Sequence, residues 1–410
     1  MITNLRLINM IQHTSSSYFI YYSVLLFTYF YDNLYLISRC FAIRKGKNHR
    51  MVSILSTNRF LEDKIFIHYS LINHDLILNE IEHLISYNNK INRIVAGCFS
   101  SMPNIRKLDL RSCKIESIDD NVFSSLLNLN ELDLSSNNIE QLNSSMFNGL
   151  VNLRKLRLNR LKIKRFDPNC FQHFNNLREL ELEQTSFDIF PTNLLTNNLR
   201  KLNIFNFTPR PNTSFNPFNN LQQLECFTGN YFYFNLLKQI RKDNLKEVVL
   251  FKSDWDMFTP RISNGFFNGF PNLRVLNIYR SGIEQFEDNV FDRLTKLEKL
   301  SIIDNRINGS NFNELFSKLT NLKVLCLKQN PINNIKNGYF GNLRNLCILD
   351  LQSCQLSSID LSAFQVLSNL EKLDLSNNRA IETVFRVHQF NFLAELKYFN
   401  KERVNQNQIV

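Results

Sequence analysis

Leucine returns along this chain about every 24 residues, and that period limits the fold more than any other feature. The segments Leu129–Ile139 (LNELDLSSNNI) and Leu370–Ala380 (LEKLDLSNNRA) share one pattern: positions one, four and six are apolar. Carried outward, the register starts units at Ile81, Ile105, Leu129, Leu153, Leu177, Leu199 and Leu221, then at Leu245, Leu273, Leu297, Leu322, Leu346 and Leu370. Position four is Leu in every unit but one, where Val248 stands. A degenerate further unit begins at Leu393. Apolar positions four and six alternate with polar neighbours at period two, so each unit supplies one short, half-buried strand. A single unit buries too little to fold alone, so neighbours must stack. The 410 residues therefore read as one solenoid with a parallel sheet rather than as several domains.

Two further columns support the register. Asn precedes position one at Asn104, Asn128, Asn152, Asn321 and Asn369, and Phe falls at position nineteen in Phe99, Phe123, Phe147, Phe171, Phe291, Phe340 and Phe364. These columns resemble the leucine-rich repeat superfamily over about residues 81–392, in its typical 24-residue extracellular form found in Toll-like and Slit-like ectodomains. The resemblance implies an α/β solenoid: a horseshoe with a concave parallel β-sheet and an irregular or short-helical convex side. It implies non-catalytic, receptor-like recognition of a protein ligand on the concave face, in adhesion or signalling.

The chemistry that is missing points the same way. Ten Gly leave little material for phosphate-cradling loops. Eight Cys are too sparse for a disulfide scaffold. Position nine is an Asn ladder (Asn89, Asn137, Asn305, Asn330, Asn378) in which Cys113 and Cys354 read as substitutes. It breaks in the middle, at Leu161, Thr185, Phe207, Gly229, Ser253 and Ser281. Asp109, Asp133, Asp350 and Asp374 recur at position five, a solvated strand column and not an acid–base pair. His68, His74 and His83 lack ligating companions at metal spacing. No enzyme, no cofactor, no catalytic residue and no metal is expected.

The net charge is +11, of which residues 1–50 hold six basic and one acidic side chain. Elsewhere both signs interleave, which argues against a nucleic-acid partner. Arg154, Lys155, Arg157 and Arg160 are answered one unit later by Glu179, Glu181 and Glu183, which reads as cross-strand self-compensation, with an acidic-partner site as the alternative.

The ends differ from the array. The apolar run Tyr18–Tyr31 suits a signal-peptide core; a retained anchor and a non-native N-terminus are the other readings. The expected plan is residues 1–50 as that segment, 51–80 as an N-terminal cap, 81–392 as about thirteen units and 393–410 as a degenerate unit and tail. Without Cys-rich caps, the apolar ends need cover from Phe60–Leu78 and Phe385–Phe399, or copies self-associate through them. Four N-glycosylation sequons, at Asn143, Asn206, Asn212 and Asn308, are usable if the chain is secreted or at the cell surface. A cytoplasmic scaffold for protein complexes is the rival setting.

Position seven points to solvent from the sheet. In the central units it reads Phe205, Phe227, Phe251, Tyr279 and Ile303, where polar residues are the norm. Lys252 and Arg280 stand beside this stripe, with Lys246 and Arg274 at position two. Contiguous aromatics rimmed by cations make the expected protein-binding site. The alternative is that irregular central loops bury the rings.

Overall fold

The computed structural model describes residues 21–26, 39–45, 51–56, 81–167, 169–185, 198–205, 221–230, 234, 243–252, 261–381 and 387–400. They belong to two compact bodies: residues 1–199 with 207–220, and residues 200–206 with 221–410.

In the N-terminal body the strands His83–Ile85, Lys107–Asp109, Glu131–Asp133, Lys155–Arg157 and Glu179–Glu181 lie parallel in chain order. Ahead of them the backbone of Met51–Ser56 joins His83–Ile85 in parallel. Met51–Ser56 also pairs antiparallel with Arg39–Lys45, and that strand pairs antiparallel with Tyr21–Leu26. Part of the apolar run Tyr18–Tyr31 is therefore strand in this fold.

The C-terminal body repeats the design with Lys201–Asn203, Cys226–Asn230, Glu247–Phe251, Val275–Tyr279, Lys299–Ile303, Val324–Cys326, Ile348–Asp350, Lys372–Asp374 and Tyr398–Asn400, again parallel and in order. Two-residue strands such as Asn334–Ile335 and Ser358–Ile359 pair on the far side of the units. Described helix is confined to single turns, for example Ser144–Phe147, Phe312–Leu315 and Leu361–Phe364. This is a parallel-sheet solenoid, as the period predicts.

Positions one, four and six fill the core, and the position-nineteen phenylalanines stack behind them. Phe99, Phe123, Phe147 and Phe171 follow one another at centroid distances of 5.9, 6.4 and 6.1 Å. Phe340 and Phe364 continue the theme at 5.8 Å.

Short strands leave turn backbone groups buried without partners, and the position-nine side chain supplies them. Asn137 donates to the carbonyls of Leu110 (2.9 Å) and Leu134 (2.7 Å) and accepts from the N–H groups of Cys113 (2.9 Å) and Ile115 (3.0 Å). Asn378 makes the same set with Leu351, Leu375, Cys354 and Leu356. Cys113 and Cys354 each donate to the matching carbonyl of the preceding unit, Ser86 and Leu327. Burial pushes the Cys113 thiol up to about 11, which suits a structural thiol. Thr185, read from sequence as a break, reaches the Leu158 carbonyl with its hydroxyl and so fills the ladder in part.

A second asparagine ladder runs outside the first. The Asn before position one donates its amide to a carbonyl of the preceding unit: Asn152 to Leu127, Asn176 to Val151, Asn321 to Thr295 and Asn345 to Thr320, at 2.8–2.9 Å. Position eight is the third recurring device. Ser112, Ser136, Gln329, Ser353 and Asn377 all take left-handed φ between 55 and 59° there, which turns the chain off the sheet.

The register read from sequence fails in two units, for one reason. Leucine also recurs three residues before position one, so L-x-x-L can be read one step early. Phe227 pairs with Leu202 and with Val248, both position-four residues, so the unit starts at Leu224 and not at Leu221. Asn244 donating to the Gln222 carbonyl, the outer-ladder contact, agrees. Phe399 likewise pairs with Leu373, so the last unit starts at Leu396 and not at Leu393. Phe390 lies 5.7 Å from Phe364 and 5.0 Å from Phe399, covering the apolar layer there, while residues 60–78 lie outside the described residues.

In the corrected unit Phe227 fills position four and Gly229 position six. A Cβ on Gly229 would stand 2.6 Å from the Phe227 ring, so the large residue requires the small one. Gly229→Ala is expected to destabilise the protein by about 1–3 kcal/mol through overpacking. Phe227→Leu should recover part of that loss in the double variant, read by urea denaturation. Strictly additive effects would contradict this packing.

Candidate protein-binding surface

The open face of each sheet carries positions three, five and seven, and the two bodies fill it with opposite chemistry. In the N-terminal body it is a lattice of ion pairs. Lys107 meets Glu131 at 3.2 Å, Lys155 meets Glu179 at 2.7 Å and Arg157 meets Glu181 at 3.1 Å. Asp109 and Asp133 are buried, which corrects the reading of position five as solvated. Each accepts the N–H of position seven two residues on, Arg111 at 3.2 Å and Ser135 at 3.0 Å, and Asp350 and Asp374 do the same for Gln352 and Ser376. These carboxylates end the strands. Cross-strand self-compensation of the basic quartet is what Lys155, Arg157 and Arg160 display, Arg160 reaching Glu183 at 3.9 Å.

In the C-terminal body, Thr228, Val249, Asn277 and Ser301 replace Asp at position five. The ladder there runs on through position seven, giving five-residue strands at Cys226–Asn230, Glu247–Phe251, Val275–Tyr279 and Lys299–Ile303. Position-seven side chains are thus held on the sheet instead of in a turn. Phe251, Tyr279 and Ile303 are half-buried there, as is Phe205, which follows the three-residue strand Lys201–Asn203 in a turn and donates its N–H to the Asn203 side chain at 3.1 Å. Phe227 is fully buried in the core and does not belong to the site, because the true position-seven residue of its unit is Asn230. The stripe closes over that residue: the rings of Phe205 and Phe251 meet at 4.3 Å, and Phe251 stacks on Tyr279 at 5.2 Å.

Sequence reading confined to position seven missed the rest of the patch. Val249 at position five and Val275, Val324 and Ile348 at position three are half-buried on the same face. Their signal was present in those columns, where Val249, Val275, Val324 and Ile348 stand at positions that are mostly charged in the N-terminal body. Asn277 is buried in their midst, and its side-chain oxygen accepts no hydrogen bond.

Cations border this patch. Glu225 is shared by Arg200 (3.1 Å) and Lys246 (2.8 Å), and Glu298 by Arg274 (3.0 Å) and Lys323 (2.9 Å). The paired cations hold both carboxyls below their usual range, through the hydrogen bonds from Lys246 and Lys323 first. At the other end of the strands Lys252 is exposed, and Arg280 pairs with Asp304 at 3.0 Å. Arg280 sits at the left-handed position eight with φ 45°.

A family model described as leucine rich repeat matches residues 103–160, 128–187, 260–307 and 344–400. The chain is a leucine-rich repeat protein. Its fold is similar to that of a crystallised internalin from Listeria monocytogenes, with 20% identity, a TM-score of 0.55 and coverage of 81% of this chain and 89% of that one. It is also similar to a leucine-rich repeat protein of Leptospira interrogans, with 19% identity, a TM-score of 0.56 and coverage of 85% and 91%. No curated protein matches the sequence.

Of the sequons in this leucine-rich repeat chain, Asn143 and Asn308 are exposed, and the Asn308 side chain accepts the Ser310 N–H at 3.0 Å. Asn206 and Asn212 lie outside the described residues.

Burial raises the Asp133 pKa above its ordinary value, with Asp109 adding to the shift, against the hydrogen bonds from Ser135 and the charge of Arg157. A raised folded pKa means that ionisation opposes folding above it and not below the unfolded value. Asp133→Asn retains an acceptor for Ser135. It should therefore be more stable than the parent at neutral pH, with the advantage fading as pH falls through the carboxylate range. Chemical denaturation at several pH values checks this; a variant less stable at neutral pH contradicts it.

Proposed function

We propose that this chain is a non-catalytic recognition protein that binds another protein on the open sheet face of its C-terminal body. The observation that carries the reading is the half-buried apolar patch of Phe205, Phe251, Tyr279, Ile303 and Val275 on a face whose counterpart in the N-terminal body is charged and self-paired. Contiguous apolar surface of this kind, rimmed by charge, is the composition of an interface core. Phe251→Ser and Tyr279→Ser should each weaken partner binding by about 1–3 kcal/mol. Thermal unfolding should move little, because both rings are already half in solvent. Large losses of melting temperature would instead assign the rings to the fold.

The compartment of this recognition protein is proposed as secreted or cell-surface, on the Phe-spine unit type and on Asn143 and Asn308 standing exposed. A cytoplasmic scaffold is the second reading, and a specific observation favours it. Seven cysteines among the described residues are free thiols, as a reducing compartment keeps them. Expression in animal cells separates the two. Secretion predicts an endoglycosidase-sensitive mass shift at Asn143 or Asn308; a cytosolic product with bare sequons supports the scaffold.

A further inference from the structure

The rim of the apolar patch is unbalanced. Glu225 and Glu298 are each already held by two cations, so each triad carries one positive charge in excess. Across the strands Lys252 is exposed and Lys328, which follows Ile303 at position seven, is half-buried. Among the described residues, Asp304 stands at this end of the strands and is occupied by Arg280. The position-two edge of the N-terminal body is cationic too, with Arg154 and Arg178 exposed, but the floor inside it is polar and balanced. There Glu131, Asp133, Glu179 and Glu181 already take up Lys107, Lys155 and Arg157. A cationic edge thus borders both faces, and only in the C-terminal body does it border an apolar floor.

We infer that the C-terminal face takes an acidic peptide segment, one carrying an aromatic or aliphatic side chain for the Phe251–Tyr279 stripe and flanking Asp or Glu for the Lys246 and Lys323 rim. This rests on the protein-binding reading above and names its partner class. A single-stranded nucleic acid also seeks cations and aromatics, but it needs open ring faces for its bases. Here the central ring, Phe251, lies between Phe205 at 4.3 Å and Tyr279 at 5.2 Å, which leaves no gap between neighbouring rings for a base to enter. Side chains that wedge against ring edges and valines fit the floor better than bases do. The rim charges are solvent-exposed, so they set partner choice and encounter rate more than the depth of binding.

The test is to pan a random dodecapeptide library on the immobilised full chain, with the Phe251→Ser protein as counter-selection. Enriched peptides should carry net negative charge beside a Trp, Phe or Leu. Replacing their Asp and Glu with Asn and Gln should weaken binding at least tenfold. Lys246→Ala/Lys323→Ala should do the same while leaving Glu225 on Arg200 and Glu298 on Arg274, and added salt should erode the affinity. Neutral or basic peptides that still depend on Phe251 would keep the face and overturn the acidic class. Peptides indifferent to Phe251→Ser would overturn both. An absence of enriched peptides overturns the acidic class, as does a fluorescent single-stranded oligonucleotide that binds in a Phe251-dependent manner.

Discussion

Everything in this fold depends on how each unit satisfies the backbone at the end of a very short strand. Three paired residues cannot occupy the N–H and C=O groups of the turn that follows, and that turn lies against the core, where an unpaired group is costly. The answer is a single amide placed at position nine, acting as donor and acceptor at once across two units. Leucines stacked at positions one, four and six would bury area without it, but they would bury unsatisfied carbonyls as well. The ladder therefore fixes the spacing of the units, and the spacing in turn brings the phenylalanines into their stack.

Position five works at the same strand ends. An Asp there turns the position-seven N–H away from the sheet and ends the strand after three residues. A Val, Thr or Ser lets the ladder run two residues farther. In the four units Cys226–Asn230, Glu247–Phe251, Val275–Tyr279 and Lys299–Ile303, position seven therefore stands on the sheet as a projecting row of side chains. The aromatic stripe sits where Asp is missing.

The sequence made the architecture legible because its apolar columns repeat often enough to average out drift. The stripe at Phe205, Phe251, Tyr279 and Ile303 was legible too, as an aromatic run in a polar column. Phe227 was misplaced because leucines at three-residue spacing admit two registers, and Leu221–Leu224 satisfies the pattern as well as Leu224–Phe227 does. Gly229 was the overlooked arbiter. A glycine is wasted as a ladder break but required at position six beneath a phenylalanine ring. The left-handed turn at position eight left no mark in residue type, since Ser, Gln, Arg and Asn all occupy it, each accepting the modest strain of that conformation. The outer ladder was visible as a column of Asn, but its role needs the carbonyl it reaches, which only the stacked neighbour provides.

The charged and apolar faces illustrate how one scaffold supports two surface economies. In the N-terminal body each strand answers its neighbour, Lys against Glu and Arg against Glu, and such partly exposed pairs add little to stability individually. Their larger effect is exclusion. A partner would have to desolvate both members of every pair and replace bonds already made. The C-terminal face presents less of this barrier, because the valines, Ile303 and the stacked rings between Glu247 and Lys299 lose only water on contact. Its rim keeps cations in excess of carboxylates. Selectivity thus comes from where the ion pairs stop, at the strands whose position-five residue no longer carries a charge.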